Sequence, residues 1–489
     1  MSLDYSELKP YGVHDLLDFD TLAMYDEFYP YNKDGKIIDW NVVQFMLKLG
    51  YVFDYSTSDW YVLFSDGLYY PSSEDEVKRD IMRYLSGKTP KKENNISTTS
   101  VKNITERLKA VSQANLKRKY EDFIIEHPEY EVKDWEIPEF MPNVLIPVRN
   151  GLINPVNMEL IPHCAYLIHH NVYNFNYHKL SEDEILTHPA YDIYAGIIPD
   201  PDTLKYFLWY VGRSLFSDDL DRILFLLYGR GGTGKSTLSR GILKILGNEG
   251  LPVQASQIDG KDKFFTSSLD GKKLLVIDEL TNTSGLWNEA FLKQLSGGTS
   301  WFLVQKKYKD AYMTDLQCKI MMIGNTYPPV KIDNAMLDRW AIIPCNERQS
   351  SDVRNLVVTD DFLNWLFNAA YYFYVVKHPH KSVKTLSELR TPLMVAELVR
   401  YRDTDPFIIW IKDYLGIDEI TVEIVQQCLE YRRSQDVFDN YRDTLERNGN
   451  KPLGRNNFYT KLYEDYDLEV MTISPNKETS YKGFRKLSK

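Results

Sequence analysis

The chain has 489 residues and a net charge of −11, with 43% hydrophobic and 26% charged residues. That mix suits two to four globular domains at roughly 100–200 residues each, and it excludes a protein that coats nucleic acid through bulk positive charge, leaving only local basic surfaces for phosphate. No run reaches the ~18–20 apolar residues of a membrane span, the start MSLDYSELKPYG has no apolar signal core, and Cys164, Cys318, Cys345 and Cys428 form no CxxC pair; the expectation is a reduced, cytoplasmic chain away from membranes, with no disulfide framework.

Residues 1–140 read as an N-terminal mixed α/β or mostly helical domain. Within it, WYVLFSDGLYY alternates as a hairpin about Asp66-Gly67. The stretch 86–100 is a polar loop, and the segment after it predicts one long helix, apolar at Val101, Ile104, Leu108 and Val111. The paired aspartates of LLDFD, residues 16–20, imitate a primase signature but lack a Ser-x-His partner anywhere in the chain. Residues 141–205 form a connector marked by a turn at Asn150-Gly151.

Residues 206–350 change character. The runs 223–229, 273–278, 319–325 and 340–345 are apolar on both faces and alternate with helical periods. Runs of that kind predict buried parallel strands in an α/β sheet. A helical lid is expected over 351–404, and a further unit over 405–489 from Asp405-Pro406 onward.

The first of these runs leads into GRGGTGKS, residues 229–236, a full GxxxxGK[ST] string between a strand and a helix. Gly229, Gly231, Gly232 and Gly234 allow backbone N–H groups to approach phosphates, and the helix start adds free donors. With Thr233, Lys235, Ser236 and Thr237 they make the expected ATP-binding set. Lys235 would reach the β- and γ-phosphates, and the Ser236 hydroxyl would ligate Mg²⁺. Asp278, ending a buried run, would hold Mg²⁺ through water, and Glu279 would polarise the attacking water. That Asp-Glu order favours an ATPase over a simple phosphoryl-transfer kinase. Asn325, ending the third run, can sense the γ-phosphate, with a plain turn residue as the alternative. Arg339, just before the fourth run, can complete a neighbouring subunit's site as a finger, or else be a surface arginine paired with Asp338.

The stretch from Gly229 to Cys345 resembles the superfamily 3 helicase core of viruses, phages and plasmids, and most closely the branch of poxvirus and phage-satellite primase-helicases. VRNGLINPVNMELIPH is similar to the Asn-Gly signature upstream of that family's ATPase. LKQLSGGTSWFLVQKKYKDAY, residues 292–312, is similar to its DNA-contacting hairpin, and the end of the chain to its winged-helix tail. Three departures stand out. Thr299 occupies the place of an acid after the Gly-Gly pair, the family's basic hairpin residue is displaced or replaced, with Lys306 and then Lys307 as its counterpart, and the family's arginine pair near the last strand is reduced to Asp338-Arg339.

The resemblance implies an AAA+ type P-loop ATPase core followed by a C-terminal winged helix. It implies an ATP- and Mg²⁺-dependent DNA helicase of 3′ to 5′ polarity, assembled as a homo-hexamer with DNA in its pore and host replication proteins as further partners. The alternative is an origin-binding initiator in which ATP only switches assembly. Lys306, Lys307 and Lys309 would meet phosphates around Tyr308. In the tail, a helix from about Arg455 would turn Phe458 and Leu462 inward and Arg455, Asn456 and Lys461 outward, where Arg and Asn suit the edges of G and A.

Overall fold

The computed structural model describes residues 28–34, 36–64, 68–87, 96–131, 145–164, 166–169, 171–217, 222–258, 265–280, 287–297, 301–305, 311–316, 318–328, 330, 333–345, 353–377, 389–476 and 479–487. The LLDFD aspartates and the Asp66-Gly67 turn lie outside these residues, though the strands either side of that turn pair antiparallel, Leu63 opposite Tyr69.

Near the N-terminus, strands Tyr51–Asp54, Asp59–Leu63 and Tyr69–Ser72 form an antiparallel sheet. It packs with the helices Asp39–Lys48, Glu74–Gly87 and Thr98–Glu126 around Phe45, Trp60, Tyr84, Ile104 and Leu108. The last helix starts where the Ser97 hydroxyl accepts a bond from the Ser100 N–H. The Asn150-Gly151 turn joins two short antiparallel strands, Ile146–Val148 and Gly151–Ile153. The Asn150 side chain then does the work of a strand partner, donating to Tyr177 O and accepting from Tyr177 N at 2.8 Å each.

The centre of the molecule is a five-stranded parallel sheet: β1 (Leu224–Tyr228), β2 (Gly250–Gln254), β3 (Leu274–Leu280), β4 (Lys319–Gly324) and β5 (Trp340–Pro344). The strand order is β5-β1-β4-β3-β2, with every neighbouring pair parallel. Side chains alternate between the faces, as a pleated strand requires. Phe225, Leu227, Val276, Met321 and Ile343 face one layer of helices. That layer holds α1 (Pro201–Phe216), α2 (Lys235–Leu246) and α3 (Asp360–Tyr371); Tyr210 of α1 stacks on Phe225 of the sheet at 4.1 Å, and Trp209, Ile242, Trp365 and Phe367 belong to the same core. Leu224, Leu226, Ile277, Ile320 and Ile342 face the opposite layer, which includes the helix Glu289–Leu295, the antiparallel hairpin Trp301–Val304/Tyr312–Asp315 and Tyr401. Both faces are covered, which is why the runs are apolar throughout rather than alternating with polar residues.

Helix α4 (Pro392–Arg402) packs along the edge strand β5, with Tyr401 meeting Trp340 edge to face at 5.8 Å. Beyond it come the helices Pro406–Leu415, Val422–Leu429, Ser434–Arg447 and Arg455–Tyr466 and an antiparallel pair of strands, Leu468–Asn476 and Thr479–Lys486. Single bridges from Glu430 to Phe484 and from Arg433 to Gly483 tie the helices to that pair. Phe407, Trp410, Tyr441, Phe458 and Leu462 fill the core of this unit. Among the described residues, no helix is long and apolar enough to cross a membrane.

Candidate nucleotide and nucleic-acid sites

The carboxyl ends of β1, β3 and β4 meet at one edge of the sheet. The chain leaves β1 through Gly229, whose N–H donates to Gly324 O at 3.2 Å. A Cβ on Gly229 would lie 2.0 Å from Cys345 O, so only glycine lets β1 turn here beside the end of β5. Gly232 and Gly234 are left-handed, with φ of 82° and 88°, and Gly234 stands at the start of α2. A Cβ on Gly231 would meet only open space. The loop thus wraps a concavity lined by backbone and opening on a helix N-terminus, the geometry that suits an anion.

Lys235 fills that loop. It is buried, and its Nζ donates to Gly229 O at 2.8 Å, Arg230 O at 2.7 Å and Thr233 Oγ1 at 3.2 Å. Burial pulls its pKa down, against the opposing influence of Cys345 and Asp278. A partly desolvated ammonium held only by neutral oxygens has electrostatic reason to meet phosphate. Cys345 is fully enclosed, and burial pushes its thiol up to about 12. Thr237 is buried within the first turn of α2.

The Ser236 hydroxyl lies 3.5 Å from Asp278 Oδ1. A hydroxyl and a carboxylate in that relation, beside a lysine, fit a hard divalent cation that keeps several waters. Glu279 follows Asp278 on β3, and its side chain lies outside what the structure describes. Strand β4 sits between β1 and β3, with Gly324 in register with Tyr228 on one side and Leu280 on the other. Asn325, the next residue, is exposed at the carboxyl edge between the loop and the acidic strand end. Contacts that no local motif announces fix this segment: Thr326 Oγ1 donates to Leu280 O at 3.0 Å, and the Tyr327 ring stacks on Tyr228 at 4.3 Å. Tyr327 O–H in turn donates to the buried Glu397 on α4 at 2.6 Å.

Arg339 is not part of this cluster. Its carbonyl accepts from Leu224 N at 2.7 Å, at the opposite, amino edge of the sheet. The five residues of β1 separate the two edges by roughly 16 Å at about 3.3 Å per residue. Its Nη1 donates to Ala335 O, and its Nε is buried with no hydrogen-bond partner among the described residues. Burial, then the like charge of Arg222, lowers its pKa. The pairing with Asp338 weighed from the sequence is replaced by this backbone contact. Arg339 therefore cannot serve its own chain's loop.

Lys306, Lys307 and Lys309 lie outside the described residues. The strands that flank them expose Trp301, Leu303 and Met313. In the C-terminal unit Arg455 and Asn456 are exposed on the first turn of their helix, with Arg455 over the Phe438 ring at 5.4 Å. Lys461 corrects the sequence reading. It points not outward but toward Asp465 at 3.2 Å and Asp405 at 3.7 Å, over the Phe407 ring. The reason is helical spacing: position 461 shares the stripe of Phe458 and Asp465.

A family of unknown function (DUF5906) matches residues 227–339, the stretch from the end of β1 to Arg339. "Putative helicase 184R" of Invertebrate iridescent virus 6 is 26% identical over 164 residues, 31% of this chain. That match spans 17% of the viral protein's own length. Among solved structures, the apo NrS-1 C-terminal region is similar with a TM-score of 0.48 at 12% identity, covering 90% of this chain and 97% of that one. A second apo form of the same region gives a TM-score of 0.46 at 12% identity, covering 91% and 99%.

Proposed function

We propose that this chain is an ATP-dependent DNA helicase of a replication apparatus. The observation that carries the proposal is the meeting of Lys235, Ser236, Asp278 and Asn325 at one sheet edge while Arg339 stands at the other. The first four would hold ATP and Mg²⁺, supplying a polarised γ-phosphate. Lys235 and the loop N–H groups orient it, Asp278 with Ser236 holds the cation, Glu279 positions water and Asn325 senses occupancy. An arginine about one strand-length away completes such a site only from another copy, so the working form is a ring. The helicase name of the viral relative supports unwinding as the use of that energy.

The finer reading is a superfamily 3 helicase of AAA+ type, a homo-hexamer moving 3′ to 5′. It resembles the replication initiator-helicase of staphylococcal pathogenicity islands. The C-terminal unit, with its four helices and strand pair, is proposed as a winged helix that reads duplex DNA through Arg455 and Asn456, with Lys461 anchoring the reading helix. Lys306, Lys307 and Lys309 are proposed as phosphate contacts in the pore.

The test is ATP turnover with and without single-stranded DNA. The wild-type chain should hydrolyse ATP and respond to DNA, Lys235→Ala should neither bind nor hydrolyse it, and Glu279→Gln should bind without turnover. Undiminished turnover by Lys235→Ala refutes the assignment.

A further inference from the structure

The turn that presents Arg339 is short and has unmet needs of its own. The helix Asn334–Leu337 ends immediately before it, and a helix end leaves carbonyls without intrahelical partners. Arg339 N–H donates to Met336 O at 3.0 Å, and Arg339 O accepts from Leu224, so the backbone of the arginine itself is fixed at both ends. The carbonyls of Leu337, Asp338 and Trp340 surround it. All three are taken by one side chain from a distant part of the chain. Arg390 donates Nη2 to Leu337 O and Asp338 O, each at 2.8 Å, and Nε to Trp340 O at 3.1 Å. The planar fork of a guanidinium can span three carbonyls on both sides of the arginine; a lysine ammonium, a point donor, cannot match that geometry.

Arg390 is itself well anchored. Thr391, next in sequence, caps α4 by accepting from Met394 N at 3.3 Å, and its hydroxyl lies 2.7 Å from that of Thr203 on α1. Two turns along α4, Glu397 holds Tyr327, which stacks beside the phosphate loop. Helix α4 therefore holds the Asn325–Tyr327 segment through Glu397, while Arg390, two residues ahead of its first turn, holds the turn that carries Arg339. A finger must hold its position within a fraction of an ångström, and such precision comes from supports on rigid elements.

We propose that Arg390 is a positioning residue that holds the Leu337–Trp340 turn so that Arg339 can reach the phosphate site of a neighbouring protomer. The inference rests on the ring reading above. Arg390 contacts the Leu337–Trp340 turn and acts through Arg339.

The test uses full-length chains carrying Arg390→Gln, Arg339→Ala or Lys235→Ala, alone and mixed pairwise. Turnover is followed alongside affinity for a fluorescent ATP analogue. Arg390→Gln should lose about a hundredfold in kcat, the scale of a misplaced catalytic group, while its affinity for the analogue is preserved. Mixed with Lys235→Ala, which keeps its own arginine turn but no working loop, it should regain turnover well above the sum of the two alone. Complementation of this kind cannot arise from a chain that has merely misfolded. Near wild-type turnover by Arg390→Gln, while Arg339→Ala is impaired, overturns the positioning role and spares the finger. Lost analogue affinity with no complementation overturns it in favour of a general folding role. Normal turnover by Arg339→Ala removes the finger itself, and with it the ring reading.

Discussion

Gly229 shows how much a single residue decides at this site. Its missing Cβ lets β1 end against Cys345 O, and the same turn delivers the loop that Lys235 fills. Gly229→Ala should lower stability by about 1–3 kcal/mol through forced backbone strain, and ATP affinity should suffer with it, because the loop must shift to relieve the contact. Thermal unfolding and analogue binding check both; unaltered binding would contradict the placement. The cysteines give an independent probe. Cys318 and Cys345 are buried, with thiols pushed by burial up to about 12, and Cys164 is buried and raised as well, whereas Cys428 is partly exposed. Since the thiolate is the reactive form, iodoacetamide at neutral pH should label the folded chain at Cys428. Rapid labelling of Cys345 would mean that the β5 end is open. At this scale the string GRGGTGKS is plain in the sequence, because a loop of this kind is specified by consecutive residues. It does not show the Gly229–Cys345 contact, which joins residues more than a hundred positions apart.

Among the elements, α1 and α3 cross in close contact. Gly212 on α1 makes the approach possible: a Cβ there would lie 2.3 Å from Ala370 O and 2.4 Å from Tyr374 Cβ. At that crossing α3 widens into a π-helical turn, Tyr372–Val376. Gly212→Ala should overpack the contact and cost about 1–3 kcal/mol, rather than add helix stability as an exposed substitution would. Urea unfolding gives the answer, and a stabilised variant would contradict the packing. The helical lid expected over 351–404 includes α3. The widened turn was not legible, since it arises from what the helix crosses. The four apolar runs were legible as strands because burial on both faces leaves no polar position. Lys461 was misread for the opposite reason: its charge suggested solvent, while its place on the stripe of Phe458 and Asp465 takes it inward.

For the whole molecule, the sheet order is the decisive feature. It sets β4 between the Gly229–Lys235 loop and Asp278, and it sends Arg339 to the far edge. Strand order is long-range information, absent from any single motif, so the separation of Arg339 from Lys235 emerges only in the fold. Arg390 and Glu397 were invisible for the same reason. The C-terminal unit makes its own prediction: Arg455→Ala with Asn456→Ala should weaken duplex binding by about 1–3 kcal/mol per lost base contact and leave basal ATP turnover intact. Equal duplex affinity in the double variant would remove that helix as the reader.

The central claim is that ATP turnover at the Lys235 site separates DNA strands. It is tested most directly by strand displacement from a fork with a 3′ single-stranded tail, using the full-length chain with ATP and Mg²⁺ beside Lys235→Ala. The account predicts release of the labelled strand by the wild-type chain and none by the variant. ATP hydrolysis without any strand release, or equal release by both chains, would contradict it.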